Sequence, residues 1–339
     1  MKLRRLLYAF FLTLSACGLA PSTQQTPPEV VVTAQASTTS PGEAQGFSLP
    51  FGSSPGSLSA QSLPSGISLW GGIVVDNTLI LLSRKSSGGG EFLLSPLPLS
   101  SSGPAVATGI SGTPFAIAQS GQVIIILETT SGAPQGCIET YSVSSLISLS
   151  VSGGAVSPLS SCQPLPGSGT MAGGLLLPMA DGVEFLVGSH GNPGAMTLRL
   201  YPLSTVINGA SLSSPQSTWE TSGSYQGDTP LSAVALSSVF LLPNPTSPAV
   251  DLYQITTLYN GGGGTLTPLS TTSLSLGGAP TLLLVDPADN FLMAASSGTV
   301  SLFGLGSVLN PPGTLGALGT IPPSGSLTLG ALAVYTGSS

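Results

Sequence analysis

Charge is what this 339-residue chain has least of: Asp, Glu, Lys and Arg together make up 6% of it, and only six residues are basic. There is a single histidine, His190, which excludes a metal site built on several imidazoles. Long helical patterns are missing as well. Its 45 Gly and 30 Pro punctuate the whole chain, the apolar runs are short and β-branched, and no 3.6-residue stripe persists, so a helical repeat is excluded. What is present is apolar: 41% of residues are hydrophobic. That is too many for wholesale disorder, so a packed core is expected under a surface of Ser, Thr and Gly.

The N-terminus orders Lys2, Arg4 and Arg5, the apolar run "LLYAFFLTL" from Leu6 to Leu14, then Ser15, Ala16 and Cys17. This is the layout of a secretory signal, and the run is too short to span a bilayer, which takes about 20 residues. The quartet "LSAC" resembles the lipobox of bacterial lipoproteins. The resemblance implies that residues 1–16 are a signal peptide and that Cys17 is acylated, becomes the new N-terminus and holds the chain to a membrane. Gly18, where Asp would signal retention, points by the same resemblance to the outer membrane or cell surface. Removing residues 1–16 leaves Arg84, Lys85 and Arg199 against thirteen acidic residues, a formal balance of −10. Nucleic acid is thereby excluded as a partner, since affinity for phosphate backbone comes from Lys and Arg. Residues 17–45, beginning "CGLAPSTQQTPPE", are expected to be a tether with "EVVVTA" as a lone strand, and the folded domain is expected over 46–339.

From there the chain repeats. Five stretches share a strand, a short turn and a second strand: "IVVDNTLILL", "AIAQSGQVIIIL", "LLLPMADGVEFLV", "AVALSSVFLL" and "LLLVDPADNFLMA". Asn, Asp, Gly and Ser occupy the turns. A third strand follows each, and aligning "FLLSPL", "IETYSV", "LRLYPL", "VDLYQI" and "VSLFGL" puts Tyr141, Tyr201, Tyr253 and Phe303 in one column with Ser95 as the exception. The C-terminal "LAVYTG" adds Tyr335 to that column. Units open at Gly66, Gly112, Gly169, Gly227, Gly278 and Gly325, at intervals of 46 to 58 residues. Four short antiparallel strands with loops fill that length, the size of a propeller blade. A β-sandwich accounts for many short strands but not for the recurring order.

The pattern, clearest in "GGAPTLLLVDPADNFLMAASSGTVSLFGL", resembles the bacterial five-, six- and seven-bladed propellers of the lactonase and quinoprotein-like kind. The resemblance implies an all-β propeller. Six blades are expected, with five or seven as the neighbouring solutions. The last unit is truncated, so its blade should be closed by strands from both termini, with "GFSLPFG" and "SLSAQSLP" as the N-terminal contribution; closure leaves no free sheet edge.

Chemistry is sparse. In an exported chain Cys137 and Cys162 are expected to form a disulfide across the third and fourth strands of unit two. "GSSPG" (52–56) matches a hydrolase elbow in letters but lacks the strand-to-helix setting. Asp286 and Asp289 in "DPADN" lack the ligand alternation of a calcium loop and read as turn formers. "NGGGG" (260–264) has no following Lys and Ser or Thr to cradle phosphate. No catalytic set, metal site or cofactor is expected. The rare polar residues gather on loops between second and third strands and at unit openings, giving Arg84, Lys85, Glu128, His190 and Asp228 as a candidate binding face. A binding or scaffold module for a protein, peptide or glycan follows from that face; a lactone- or sugar-processing enzyme and a purely structural envelope protein are the alternatives.

Overall fold

The computed structural model describes residues 29–52, 55–227, 229–288, 290–311, 313–323 and 327–336. Its first strands are β1 (Glu29–Ala36), β2 (Gly42–Ser48) and β3 (Ser59–Leu63). Five strand sets follow in chain order. Blade 1 holds β4 (Ile67–Val75), β5 (Thr78–Lys85), β6 (Gly90–Pro96) and β7 (Ala105–Ile110). Blade 2 holds β8 (Thr113–Ser120), β9 (Val123–Thr130), β10 (Ala133–Ser142) and, after the short β11 (Gly154–Ala155), β12 (Ser160–Pro164). Blade 3 holds β13 (Gly173–Pro178), β14 (Glu184–His190), β15 (Thr197–Pro202) and β16 (Ser217–Thr221). Blade 4 holds β17 (Val234–Ala235), β18 (Val239–Pro243), β19 (Ala249–Gln254) and, after β20 (Gly264–Leu266), β21 (Ser270–Ser273). Blade 5 holds β22 (Leu282–Val285), β23 (Phe291–Ser296), β24 (Thr299–Gly304) and β25 (Gly319–Ile321), and β26 (Thr328–Thr336) is the last strand among the described residues.

The sixth sheet runs β26-β1-β2-β3, so the C-terminal strand takes the innermost place and the N-terminal segment supplies the other three. The result is an all-β, six-bladed propeller closed by both termini. Two sequence expectations are corrected here. The folded domain takes in residues before 46, at least from Glu29: "EVVVTA" is no lone strand but pairs with β26 on one side and β2 on the other, burying Val31, Val32 and Ala34. Tyr335 is not in a third strand. It lies on β26 opposite Val30, and the sixth member of the aromatic column is Phe47, in "AQGFSL" of β2. Each column residue is the second-last residue of its third strand, and Phe47, Tyr141, Tyr201, Tyr253 and Phe303 are all buried between blades. Where blade 1 has Ser95 instead, the hydroxyl donates to Gln61 of β3.

The hairpin turns follow local chemistry. Val75 pairs with Thr78 across Asp76 and Asn77, whose φ values of 46° and 56° are those of a type I′ turn. Asp286 is buried and accepts the N–H groups of Asn290 and Phe291, which makes it a turn former; Asp289 lies outside the described residues.

The third-to-fourth connections are longer than hairpin turns. In blades 2 to 5 they begin with one helical turn or so: α1 (Val143–Ser148), α2 (Leu203–Ile207), α3 (Ile255–Asn260) and α4 (Leu305–Leu309). In blades 1 and 6 the cis peptides Leu97–Pro98 and Leu49–Pro50 stand at that place. Each connection then reaches back to the outer strand of the preceding blade. Gly154 and Ala155 pair in parallel with β7, Gly264 to Leu266 with β16, and Leu315 bridges to Leu274. Gly209 packs on Ser160, Thr320 donates to Gly52, and Gln61 donates to Ser102. The outer edges are thus partly capped all round the ring, which limits edge-to-edge pairing with other chains.

Cys137 on β10 and Cys162 on β12 form a disulfide with Cα atoms 5.4 Å apart. Cys137 is opposite Pro164, so the bridge is diagonal across the third and fourth strands. It closes a separation of 25 residues, and replacing both cysteines with serine should destabilise the domain by about 3 kcal/mol. Cys137 is fully buried, so the native protein should resist thiol alkylation until reduced and unfolded. Prompt labelling without reductant would contradict the bridge.

Candidate functional site

The inner strands of all six blades enclose a channel. On the face carrying the second-to-third-strand loops its mouth is a cavity of about 570 Å³ lined by Ser37, Thr38, Ser68, Trp70, Arg84 and Thr328, among others. Its most ordered feature is a stack. Trp70 meets Phe115 edge-on, with ring centroids 5.3 Å apart. The Arg84 guanidinium lies 3.9 Å from the Trp70 centroid and 4.6 Å from that of Phe115, and donates to the Pro114 carbonyl at 3.0 Å. A guanidinium is weakly hydrated and planar, so it tolerates this partly buried seat between rings as an ammonium would not.

The local sequence explains the placement. The β4–β5 register slips between Leu69 and Gly72, and Gly71 in this bulge has φ 126°, where a side chain would strike Ile117 of the next blade. The bulge turns Trp70 toward blade 2, and its indole N–H donates to Ser68. Below the mouth the walls become apolar: Ile117, Leu176, Leu282 and Leu332 line the waist, and a cavity of about 420 Å³ at the far end is walled by Ile73, Val74, Leu177, Leu283 and Val334. Ser232 and Gln119 are the polar side chains of these deeper parts, so the mouth offers the denser set of polar contacts.

The five residues taken from the sequence do not form one surface. Arg84 lines the mouth. Lys85 points outward and pairs with Glu91 at 2.6 Å. Glu128 is fully buried between blades 1 and 2, where the Gly112 N–H donates to one carboxylate oxygen and the other has no hydrogen-bond partner among the described residues. Burial and the nearby Glu139 push its pKa up to about 7, against the pull of the Gly112 N–H. His190 is also buried; it packs on Gly173 and Tyr225, its Nδ1 donates to the Gly191 carbonyl at 2.7 Å, and burial pushes its pKa down. Asp228 lies outside the described residues. Glu128 and His190 are thus corrected from exposed loop groups to interior ones. Both sit at strand ends, where a charge in sequence resembles a loop residue but the blades pack over it.

Glu128, Cys137 and Cys162 bring three ligand-type atoms within 4.8 Å of one another, but the disulfide engages both sulfurs. Sequence reasoning missed Trp70 and Phe115. The available signal was that Trp70, one of two tryptophans, sits beside the Gly-Gly of "SLWGG" at the start of an inner strand.

The chain matches no protein-family model and no curated protein. Among solved structures it is similar to the WD40 β-propeller domain of Doa1, with a TM-score of 0.50 and 10% identity over 91% of this chain and 90% of that one. It is also similar to a functionally unknown protein from Desulfotomaculum acetoxidans, with a TM-score of 0.46 and 11% identity over 81% of this chain and 75% of that one. The computationally designed protein Ika8 gives 0.40 and 12%, over 81% and 72%. At such identities the likeness concerns the fold alone.

Proposed function

We propose that the chain is a lipoprotein of the bacterial cell envelope, tethered through Cys17, whose propeller binds a protein, peptide or glycan at the channel mouth. The observation that carries the binding half is the mouth cavity itself, with its aromatic and guanidinium stack ringed by the hydroxyls of Ser37, Thr38, Ser68 and Thr328. Planar rings, a fixed cation and several short hydroxyls hold partners by stacking and hydrogen bonds, the contacts that anchor protein and sugar recognition. The tether half rests on the "LSAC" resemblance, and the low charge of the chain agrees with a protein kept at a surface rather than free at high concentration.

The two halves are tested separately. Cys17→Ser should move the protein from the membrane fraction to the soluble fraction; wild-type membrane content in that variant would refute the anchor. For the mouth, the mature protein is used to capture partners from intact envelopes by cross-linking. Arg84→Ala and Trp70→Ala should lose the captured species while Lys85→Ala keeps it. Equal capture by all three would refute the mouth as the site.

A further inference from the structure

A second cleft on the same face lies between blades 2 and 3, and its chemistry is different. It has a volume of about 200 Å³ and is lined by Arg199, Ser189, Thr197, Ser168 and Thr170, together with Gly167 and Gly169. Arg199 projects from the third strand of blade 3, and its guanidinium donates to the Ser189 hydroxyl at 2.8 Å. Among the described residues no carboxylate lies within ion-pair distance of it, whereas Lys85 is paired with Glu91. In a chain where acidic residues outnumber basic ones, a half-buried arginine left facing hydroxyls is a specific arrangement. Burial pushes its pKa down, against the opposing pull of Tyr201 and of Glu220 on the neighbouring strand.

The segment "PGSGT" (166–170) passes over this guanidinium. A side-chain carbon at Gly167 would stand 3.4 Å from Nη2 of Arg199, and Gly167 and Gly169 have φ values of 126° and 109°. Leu165 and Met171, on either side, donate their backbone N–H groups to Gly136 and Pro134, while the N–H groups of Gly167, Ser168, Gly169 and Thr170 have no acceptor among the described residues. These four residues are exposed and line the cleft, and the small side chains leave their backbone accessible there.

We propose that this cleft binds a phosphate group, either free or as a small monoester. The lining offers donors from more than one side: the fork of Arg199, hydroxyls from Ser189 and Thr197 along the strands, and the hydroxyls of Ser168 and Thr170 on the glycine-rich segment. A tetrahedral oxyanion can use all of these directions, whereas a planar carboxylate offers only two oxygens to the fork. The cleft is open to solvent on one side, so a monoester can leave its organic part outside. The proposal is independent of the channel mouth, since no residue of the Trp70, Arg84 and Phe115 stack lines the cleft.

The test is a titration of the mature protein with inorganic phosphate, glycerol 1-phosphate and acetate, followed by calorimetry and by NMR. Phosphate should bind and shift the Arg199 side-chain Nε–H resonance and the amides of Gly167 to Thr170. Arg199→Met should weaken binding by about tenfold or more, the effect of losing charge-assisted bonds, while Arg84→Ala leaves it unchanged. Acetate should bind at least about tenfold more weakly than phosphate. Tighter binding of glycerol 1-phosphate than of phosphate would identify a monoester as the occupant, and the reverse would identify the free ion. No binding of either phosphate by the wild type, equal affinity in Arg199→Met, or acetate binding as tightly as phosphate would overturn the proposal. If Arg199→Met does not fold, the wild-type resonances decide: shifts confined to other residues would overturn it.

Discussion

Replacing Tyr201 with alanine is expected to destabilise the domain by about 3–5 kcal/mol, the range for truncating a buried aromatic. Tyr201 is fully buried among Phe185, Val206 and Leu212, and its hydroxyl donates to the Leu212 carbonyl at 3.0 Å. The loss therefore combines a cavity with a stranded carbonyl. Phe47→Ala should cost a similar amount, because Phe47 holds the equivalent place in blade 6. Tyr335→Ala should cost clearly less, since Tyr335 is only partly buried on the inner strand. Denaturant unfolding of the three variants checks the order. A large loss for Tyr335→Ala with a small one for Phe47→Ala would reverse the assignment of strands in the closing blade.

Glu128→Gln is expected to stabilise the protein above neutral pH and to change little in acid. The folded pKa of about 7 stands above the ordinary value of 4.5, so the native state holds a proton that the unfolded chain releases. For a carboxyl shifted upward the sign is a penalty: it is absent below about pH 4.5, grows as pH rises, and is complete above about 7. A shift of that size corresponds to about 3 kcal/mol at full development. Glutamine keeps the shape and an oxygen for the Gly112 N–H without the charge, and it also removes the repulsion between Glu128 and Glu139, whose carboxylate accepts the Tyr141 hydroxyl. Thermal melts of both proteins at pH 4 and pH 8 make the comparison. A Tm gain that is equal at the two pH values, or confined to pH 4, would contradict a buried carboxyl that ionises at this position.

These two cases also mark what the sequence could disclose. The hairpins were legible because their turns carry Asp-Asn or Gly at positions that need positive φ, and because strand alternation is local. The aromatic column was legible for Tyr141, Tyr201, Tyr253 and Phe303 because each third strand follows its hairpin at a similar distance. Phe47 escaped because β26, the inner strand of its blade, lies at the other end of the chain, so no complete hairpin precedes β2 in sequence, and Tyr335 entered the column because "LAVYTG" aligns with the third strands while lying on an inner one. β1 was taken for part of a tether because Pro, Thr and Gln precede it, while its stability comes from β26 and β2, which no local window contains. The helices α1 to α4 are too short to display a period. In the candidate site, Arg84 was found as a rare charge on a loop between second and third strands. Glu128 and His190 misled for the same reason, since a charge at a strand end looks the same in sequence whether or not the next blade covers it. The cleft around Arg199 depends on two blades meeting, which only the closed ring brings about.

Closure of that ring by β26 is the basis of the channel mouth and of the face that carries both clefts. Val32 lies opposite Ala333 and Val31 opposite Val334 in the β1–β26 pairing, and directly opposed residues in an antiparallel pair fall within disulfide range. Cysteines placed at 32 and 333, or at 31 and 334, should therefore cross-link on mild oxidation, with mass spectrometry identifying the joined peptides from the two ends of the chain. Free thiols at both pairs in the folded protein would contradict the closed six-bladed ring.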